Sequence, residues 1–236
     1  MNDSMTLQYS ELSFQHFKLT TSTLYPDYQQ QILLLHGGAR AQDVFIDLRK
    51  ILAQDQIGSV ALDCIGHGQS TGNLSDSSLA LRSAQALYAL KHHQTMIQSC
   101  LGVSMGGYNA LKLSQQLPLN AMILIVPGVY TPDAYHVNFG KQFSHIIRQP
   151  NSWFTSDAWE IIQNFKGNLL IVSAEKDEIV PSDIPQKLFE SATQCKWKHH
   201  LIIPNASHQG IIQYILNSEK LKNEFMFYLK KCLFHE

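Results

Sequence analysis

Charged residues are scarce in this chain, and neither sign prevails. Asp, Glu, Lys and Arg make up 16% of 236 residues, with 18 Lys and Arg against 19 Asp and Glu. That balance leaves no cationic surplus to neutralise phosphates, so neither nucleic acid nor an anionic membrane surface is an expected partner. Long apolar runs are missing too. The longest, Ala121 to Val126, falls far short of the roughly 20 residues that span a bilayer, so no integral membrane segment is expected. Met1 to Thr20 holds no apolar stretch of the kind a secretory leader needs. Cysteine is sparse: Cys64, Cys100, Cys195 and Cys232 lie far apart, with no C-x-x-C pair. Reduced thiols in a cytoplasmic protein are expected rather than a disulfide framework or a thiolate metal site. Repeats and low-complexity tracts are absent as well.

What the chain does have is core-forming material, with 44% hydrophobic residues. The length suits a single domain over residues 1–236. Short apolar runs alternate with helical spacing. Ile32 to Leu35, Ser59 to Leu62, Ser99 to Val103, Ala121 to Val126, Leu169 to Val172 and Leu201 to Ile203 read as buried strands. Between them, Val44, Phe45, Leu48, Ile51 and Leu52 recur on one helix face. Leu79 to Leu90, Tyr108 to Gln116 and Ile184 to Ala192 are helical too, and a last helix is expected from about Gly210 to Leu233. Such alternation predicts βαβ units, hence an α/β fold with a mostly parallel sheet and helices on both faces. Leu7 to Leu24 has alternating character and is expected as an antiparallel hairpin on the sheet edge.

One stretch breaks the rhythm. No strand pattern appears between Gly128 and Gly167, while residues 130–165 carry eight aromatics: Tyr130, Tyr135, Phe139, Phe143, Trp153, Phe154, Trp159 and Phe165. We read it as a small helical cap inserted at about 129–166, because roughly 40 residues build little core alone.

The sharpest motif is Gly102-Val103-Ser104-Met105-Gly106-Gly107, a G-x-S-x-G directly after a strand and before a helix. The chemistry explains the spacing. A tight, strained turn lifts the serine hydroxyl out of the sheet, and the glycines avoid collisions with the neighbouring strand and helix. The next N–H, that of Met105, then opens a helix and can donate to a developing oxyanion.

On this motif and four others the chain resembles an α/β-hydrolase-fold serine hydrolase, over about residues 10 to 233. His36-Gly37-Gly38 resembles the family's oxyanion loop, with Ala39 where some esterases carry a third glycine. Asp63-Cys64-Ile65-Gly66-His67-Gly68-Gln69-Ser70 resembles its D-x-x-G-x-G-x-S loop. Ser173 to Pro181 resembles the acid loop, and Asn205-Ala206-Ser207-His208 the histidine loop. The resemblance implies Ser104 as nucleophile and Gly38 as second oxyanion donor beside Met105. It implies no metal or organic cofactor. Dehalogenase and epoxide hydrolase chemistry in this fold uses a carboxylate nucleophile, so Ser104 argues against both.

The residues themselves make a parallel case. A serine hydroxyl needs a base within hydrogen-bond reach. His208 follows the last apolar run by the short stretch Pro204 to Ser207, on the rim where Ser104 lies. His199 and His200 precede that run, and His92 and His93 end a polar helix and read as solvated. The imidazole needs a carboxylate to set its tautomer. Asp177 is the candidate, with Glu175 and Asp183 as rivals. Resemblance to the family's spacing before Ile179-Val180-Pro181 favours Asp177. Asp63 and His67 read as parts of a hydrogen-bonded turn.

The expected reaction is hydrolysis of carboxylic esters with small to medium apolar acyl or alcohol groups, through an acyl-serine. An acyl-thioesterase is the enzymatic alternative, since the same triad serves both. A non-catalytic, hydrolase-like small-molecule receptor is the alternative of another class. No dedicated peptide-binding motif is visible. Tyr130, Phe139, Phe143, Trp153, Phe154 and Trp159 are the candidates for an apolar substrate pocket, with packing of the cap as their competing role.

Overall fold

Among the described residues, eight strands build one sheet: β1 (Gln8–Phe14), β2 (Phe17–Leu24), β3 (Gln31–Leu35), β4 (Gly58–Leu62), β5 (Ser99–Val103), β6 (Ala121–Ile125), β7 (Asn168–Lys176) and β8 (Trp197–Ser207). The computed structural model describes residues 6–24, 28, 30–94 and 97–235. The spatial order is β1-β2-β4-β3-β5-β6-β7-β8. β1 pairs antiparallel with β2, and β2 antiparallel with β4; all other neighbours run parallel. The expected hairpin is therefore present at the sheet edge, joined to β4 rather than to β3, the next strand in sequence.

The helices are α1 (Ile46–Gln54), α2 (Leu79–His92), α3 (Met105–Ser114), α4 (Lys141–Ile147), α5 (Ala158–Asn164), α6 (Asp183–Ser191), α7 (Ile211–Leu216) and α8 (Glu219–Phe234). One apolar cluster joins residues of α2, α3, α5 and α6 to one face of the sheet, and a second joins α1, α7 and α8 to the other. Covered on both faces, β3, β4 and β6 are buried at every position, which is why they read as unbroken apolar runs. Among the described residues no helix is long and apolar enough to cross a membrane.

Two expectations change. The helix expected from Gly210 to Leu233 is two helices. Ser218 takes an extended backbone and its hydroxyl accepts the Leu221 N–H, starting α8 afresh. β8 begins at Trp197 and reaches Ser207, so His199 and His200 lie inside the strand and Pro204 to Ser207 belong to it.

The segment read as a cap divides in two. A parallel β6–β7 pair needs a crossover of a dozen or more residues in any case. α5 supplies it, packed between α3 and α6. What stands apart is the stretch before it, with α4 and two short 3₁₀ turns, Pro132–Ala134 and Ser152–Thr155. Asp157 fastens the junction: its carboxylate accepts from Tyr108 Oη at 2.6 Å and from Lys112 Nζ at 2.7 Å, both on α3.

Candidate active site

Ser104 lies between β5 and α3 with φ +52° and ψ −117°, a conformation that side chains rarely adopt. Two glycines make the turn possible. A Cβ on Gly102 would overlap the Gly106 carbonyl, and a Cβ on Gly106 would overlap the Leu35 carbonyl. The Ser104 N–H donates to Ile125 O at 2.9 Å, and its carbonyl accepts from Gly107 and Gly128. Strand, helix and the chain beyond β6 thus hold the turn from three sides. Val126 is strained as well, a β-branched residue at φ +41° beside Pro127, which packs on Gly107.

His208 Nε2 lies 2.9 Å from Ser104 Oγ, and His208 Nδ1 lies 2.9 Å from Asp177 Oδ2. A carboxylate accepts only, so Nδ1 carries the proton and Nε2 can accept from the serine hydroxyl. Asp177 Oδ1 also accepts from the Ile179 and Val180 N–H groups at 2.9 and 2.8 Å. Burial alone would raise the Asp177 pKa. The hydrogen bonds from His208, Val180 and Ile179, with the His208 charge, outweigh it and hold the carboxyl below its ordinary value.

The rivals lie elsewhere. Glu175 Oε2 accepts the Asn205 N–H at 2.6 Å, fastening the segment that ends in His208, and Asp183 is exposed in the first turn of α6. Asn205 holds φ +58°, a left-handed conformation asparagine tolerates. His200 Nε2 is 2.7 Å from Ser173 Oγ, and His93 Nε2 is 2.8 Å from Thr21 Oγ1, so His93 is not the solvated residue expected.

Met105 opens α3, so its N–H belongs to the first turn, where no intrahelical acceptor exists. Gly38 sits against it: a Cβ there would lie 3.0 Å from Met105 Cε. The loop is held from behind. His67 Nε2 is 2.8 Å from Gly38 O and its Nδ1 3.1 Å from Ile65 O. Asp63 accepts from the Gln42 and Gln69 N–H groups, which is the turn role expected of this loop. His36 is buried; its Nδ1 lies 2.7 Å from Gly37 O and its Nε2 accepts from the Cys64 N–H. Burial drives its pKa well below the imidazole range, and the Arg82 and His67 charges add to this, against a raising hydrogen bond to Gly37. The ring is a neutral spacer in the loop.

The six aromatic candidates take different positions. Phe139 and Phe143, each 4% exposed, belong to the core cluster. Tyr130 packs edge-on to Tyr108, with its hydroxyl over Gly128. Trp153, Phe154 and Trp159 contact one another, with Lys187 Nζ 4.4 Å from the Trp159 ring centre. A cavity of about 380 Å³ opens behind Asp177, walled by Ser173, Glu175, Asp183, His200 and Ile202 among others, and by none of the six. A larger one, about 1080 Å³, lies at the opposite strand ends near Asn120, Asn168 and Lys196, away from Ser104.

Comparison with known proteins agrees with this architecture. The Hydrolase_4 family, described as serine aminopeptidase, S33, matches residues 26–150. That range holds the His36–Gly38 loop and Ser104 and ends before Asp177 and His208. The protein bem46 of Schizosaccharomyces pombe is 31% identical in a 152-residue alignment that covers 61% of this chain and 49% of bem46, about half the relative's length. Among solved structures, a CIB-like hydrolase from Thermoplasma acidophilum superposes with a TM-score of 0.71 at 16% identity, covering 97% of this chain and 98% of that one. The Pyrococcus furiosus esterase Pf2001 gives 0.70 at 16% identity, covering 97% and 93%. At such identity these two likenesses speak to the fold. The family match covers just over half of the sequence, and with it the chain is placed among the α/β-hydrolases, in the serine aminopeptidase S33 family.

Proposed function

We propose that this hydrolase cleaves carboxylic esters by a serine mechanism, with Ser104 as nucleophile, His208 as general base and acid, and Asp177 orienting His208. One observation carries the reading: the unbroken hydrogen-bond chain from Ser104 Oγ through His208 to Asp177. Ser104 Oγ attacks the carbonyl carbon and its proton passes to His208 Nε2. The imidazolium is stabilised by Asp177, whose lowered pKa keeps it a carboxylate. The carbonyl oxygen becomes an oxyanion held by the Met105 and Gly38 N–H groups. Each such donor is typically worth about 3–4 kcal/mol in the transition state. His208 then protonates the departing alkoxide, and water, activated by the same imidazole, releases the acid from the acyl-serine.

The triad touches only the reacting carbonyl, so it does not select the acyl group. The aromatic stretch between β6 and α5 supports a preference for small to medium apolar groups, with the domain reading of a body plus a short cap. Thioesters share the reacting carbonyl and are the alternative substrates. The test is a panel of p-nitrophenyl esters of rising acyl length, run beside acyl-thioesters and an aminoacyl anilide, for the native protein and Ser104→Ala. Ester turnover that vanishes in the variant supports the reading. Anilide turnover without ester turnover contradicts it. Stoichiometric binding without turnover would make the protein a receptor on this fold.

A further inference from the structure

Arg82, on α2, is 2% exposed. Its Nε donates to Asn109 Oδ1 at 3.2 Å, and its Nη2 donates to the His36 carbonyl oxygen. Among the described residues its Nη1 has no hydrogen-bond partner, and no carboxylate lies within ion-pair distance of it. A buried guanidinium without a counter-charge is costly, and core packing alone would be served better by an apolar side chain.

Both of its partners belong to the frame of the oxyanion hole. His36 leads into Gly37 and Gly38, and Asn109 is on α3, the helix that Met105 opens. The two pieces meet at Gly106, where a Cβ would lie 2.8 Å from the His36 oxygen. The His36 ring is neutral and already committed to Gly37 O and the Cys64 N–H, so it leaves the His36 carbonyl to Arg82. Asn109 is itself immobilised, donating to Leu79 O and Ser83 Oγ at 2.8 and 2.9 Å. The Arg82 charge is also felt at Tyr130. Burial pushes the Tyr130 hydroxyl up to about 12, and the Arg82 charge works against that rise.

We infer that Arg82 is a positioning residue for the oxyanion hole, tying the His36–Gly38 loop to α3 so that the Gly38 and Met105 N–H groups converge on one oxygen. Its uncompensated positive charge favours negative charge on that oxygen as well. The inference rests on Ser104 being the nucleophile. Displacing one donor of such a pair by a fraction of an ångström weakens the transition state and leaves ground-state binding largely intact.

The experiment compares the native protein with Arg82→Met and Arg82→Lys. It measures melting temperature, kcat and KM for p-nitrophenyl butyrate, and inhibition by an aryl trifluoromethyl ketone, which forms a tetrahedral oxyanion on a serine. Arg82→Met is expected to lower kcat and ketone affinity together, by about 10- to 100-fold, with KM within twofold. Arg82→Lys, which keeps the charge but loses the planar fork, should fall between. A folded Met variant with native kcat and ketone affinity overturns the inference, as does a loss confined to KM. If Arg82→Met does not melt cooperatively, the Lys variant decides: a threefold or larger loss in both measures supports the inference, and native values overturn it. A native protein without Ser104-dependent turnover overturns the serine mechanism and this inference with it. Intact native turnover beside unaffected variants overturns this inference alone.

Discussion

Lys176 pairs with Ser207 at the last register of β7 and β8, and that pairing delivers Asp177 to His208. An irregularity between Ala174 and Lys176 lets β8 advance four residues, Ile203 to Ser207, while β7 advances two. The first residue beyond each strand is then a member of the contact, with His208 Nδ1 2.9 Å from Asp177 Oδ2. Residues distant in sequence meet because this shift in the β7–β8 register sets their phase.

Asp177→Asn and Glu175→Gln should therefore behave differently. An amide in place of the Asp177 carboxylate cannot enforce the His208 tautomer, and kcat is expected to fall by about 10⁴. Glu175→Gln keeps an oxygen for the Asn205 N–H, so kcat should stay within about threefold of native, while Glu175→Ala, which frees Asn205, should cost about tenfold. Steady-state kinetics on one ester rank the three. The reverse ranking of Asp177→Asn and Glu175→Gln moves the acid to Glu175.

His36 gives the protein an acid-side weakness. Its folded pKa is lowered by burial and by the Arg82 and His67 charges, so the unfolded chain takes the proton first. The neutral ring's contribution is complete above the unfolded value of about 6.5 and is lost as pH falls toward the folded value. One such proton makes stability fall by about 1.4 kcal/mol per pH unit below that point. Urea unfolding from pH 7.5 to 5 should show a shallower slope for His36→Gln than for the native chain. Equal slopes would mean that the buried ring takes its proton while folded.

Two glycines of the site should separate stability from activity. Gly106→Ala drives a Cβ into the Leu35 carbonyl, where neither strand nor helix can yield, and should cost about 3 kcal/mol or more. Gly37→Ala meets Ser104 Cβ at 3.4 Å, an ordinary contact, and comes within 4.0 Å of Ser104 Oγ. Its melting temperature should stay near native while kcat/KM falls, because the methyl group crowds the space above the hydroxyl. Thermal melts beside kinetics decide the matter.

Among the aromatics, Phe143→Ala should lower stability by about 3–5 kcal/mol and affect all substrates alike, since its ring is core. Phe154→Ala, at 53% exposure, should do little to stability. Tyr130 lies over Gly128, whose N–H bonds the Ser104 carbonyl, so Tyr130→Ala should shift the ratio of short- to long-chain kcat/KM. An unchanged ratio there would send the search for the specificity pocket to the loops after Gly38 and Gly72.

The parallel core is legible in the sequence because strands buried on both faces show as plain apolar runs such as Ala121 to Ile125. Ser104 is legible because its turn demands glycine at 102 and 106, a local requirement. Glu175 is not: its bond to the Asn205 N–H depends on the β7–β8 register, which no local pattern encodes. Arg82 is hidden for a related reason, since an arginine within a helical stretch reads as a surface charge until the loop above it is placed. The aromatic stretch misleads in part, because the obligatory crossover helix α5 carries Trp159 and looks from sequence like more of the insertion.

The most direct measurement is the intact mass of the protein after reaction with a fluorophosphonate, followed by peptide mapping. One adduct per chain is expected, on Ser104, absent in Ser104→Ala and strongly slowed in His208→Ala. An adduct on another serine, or labelling undiminished in Ser104→Ala, would contradict it.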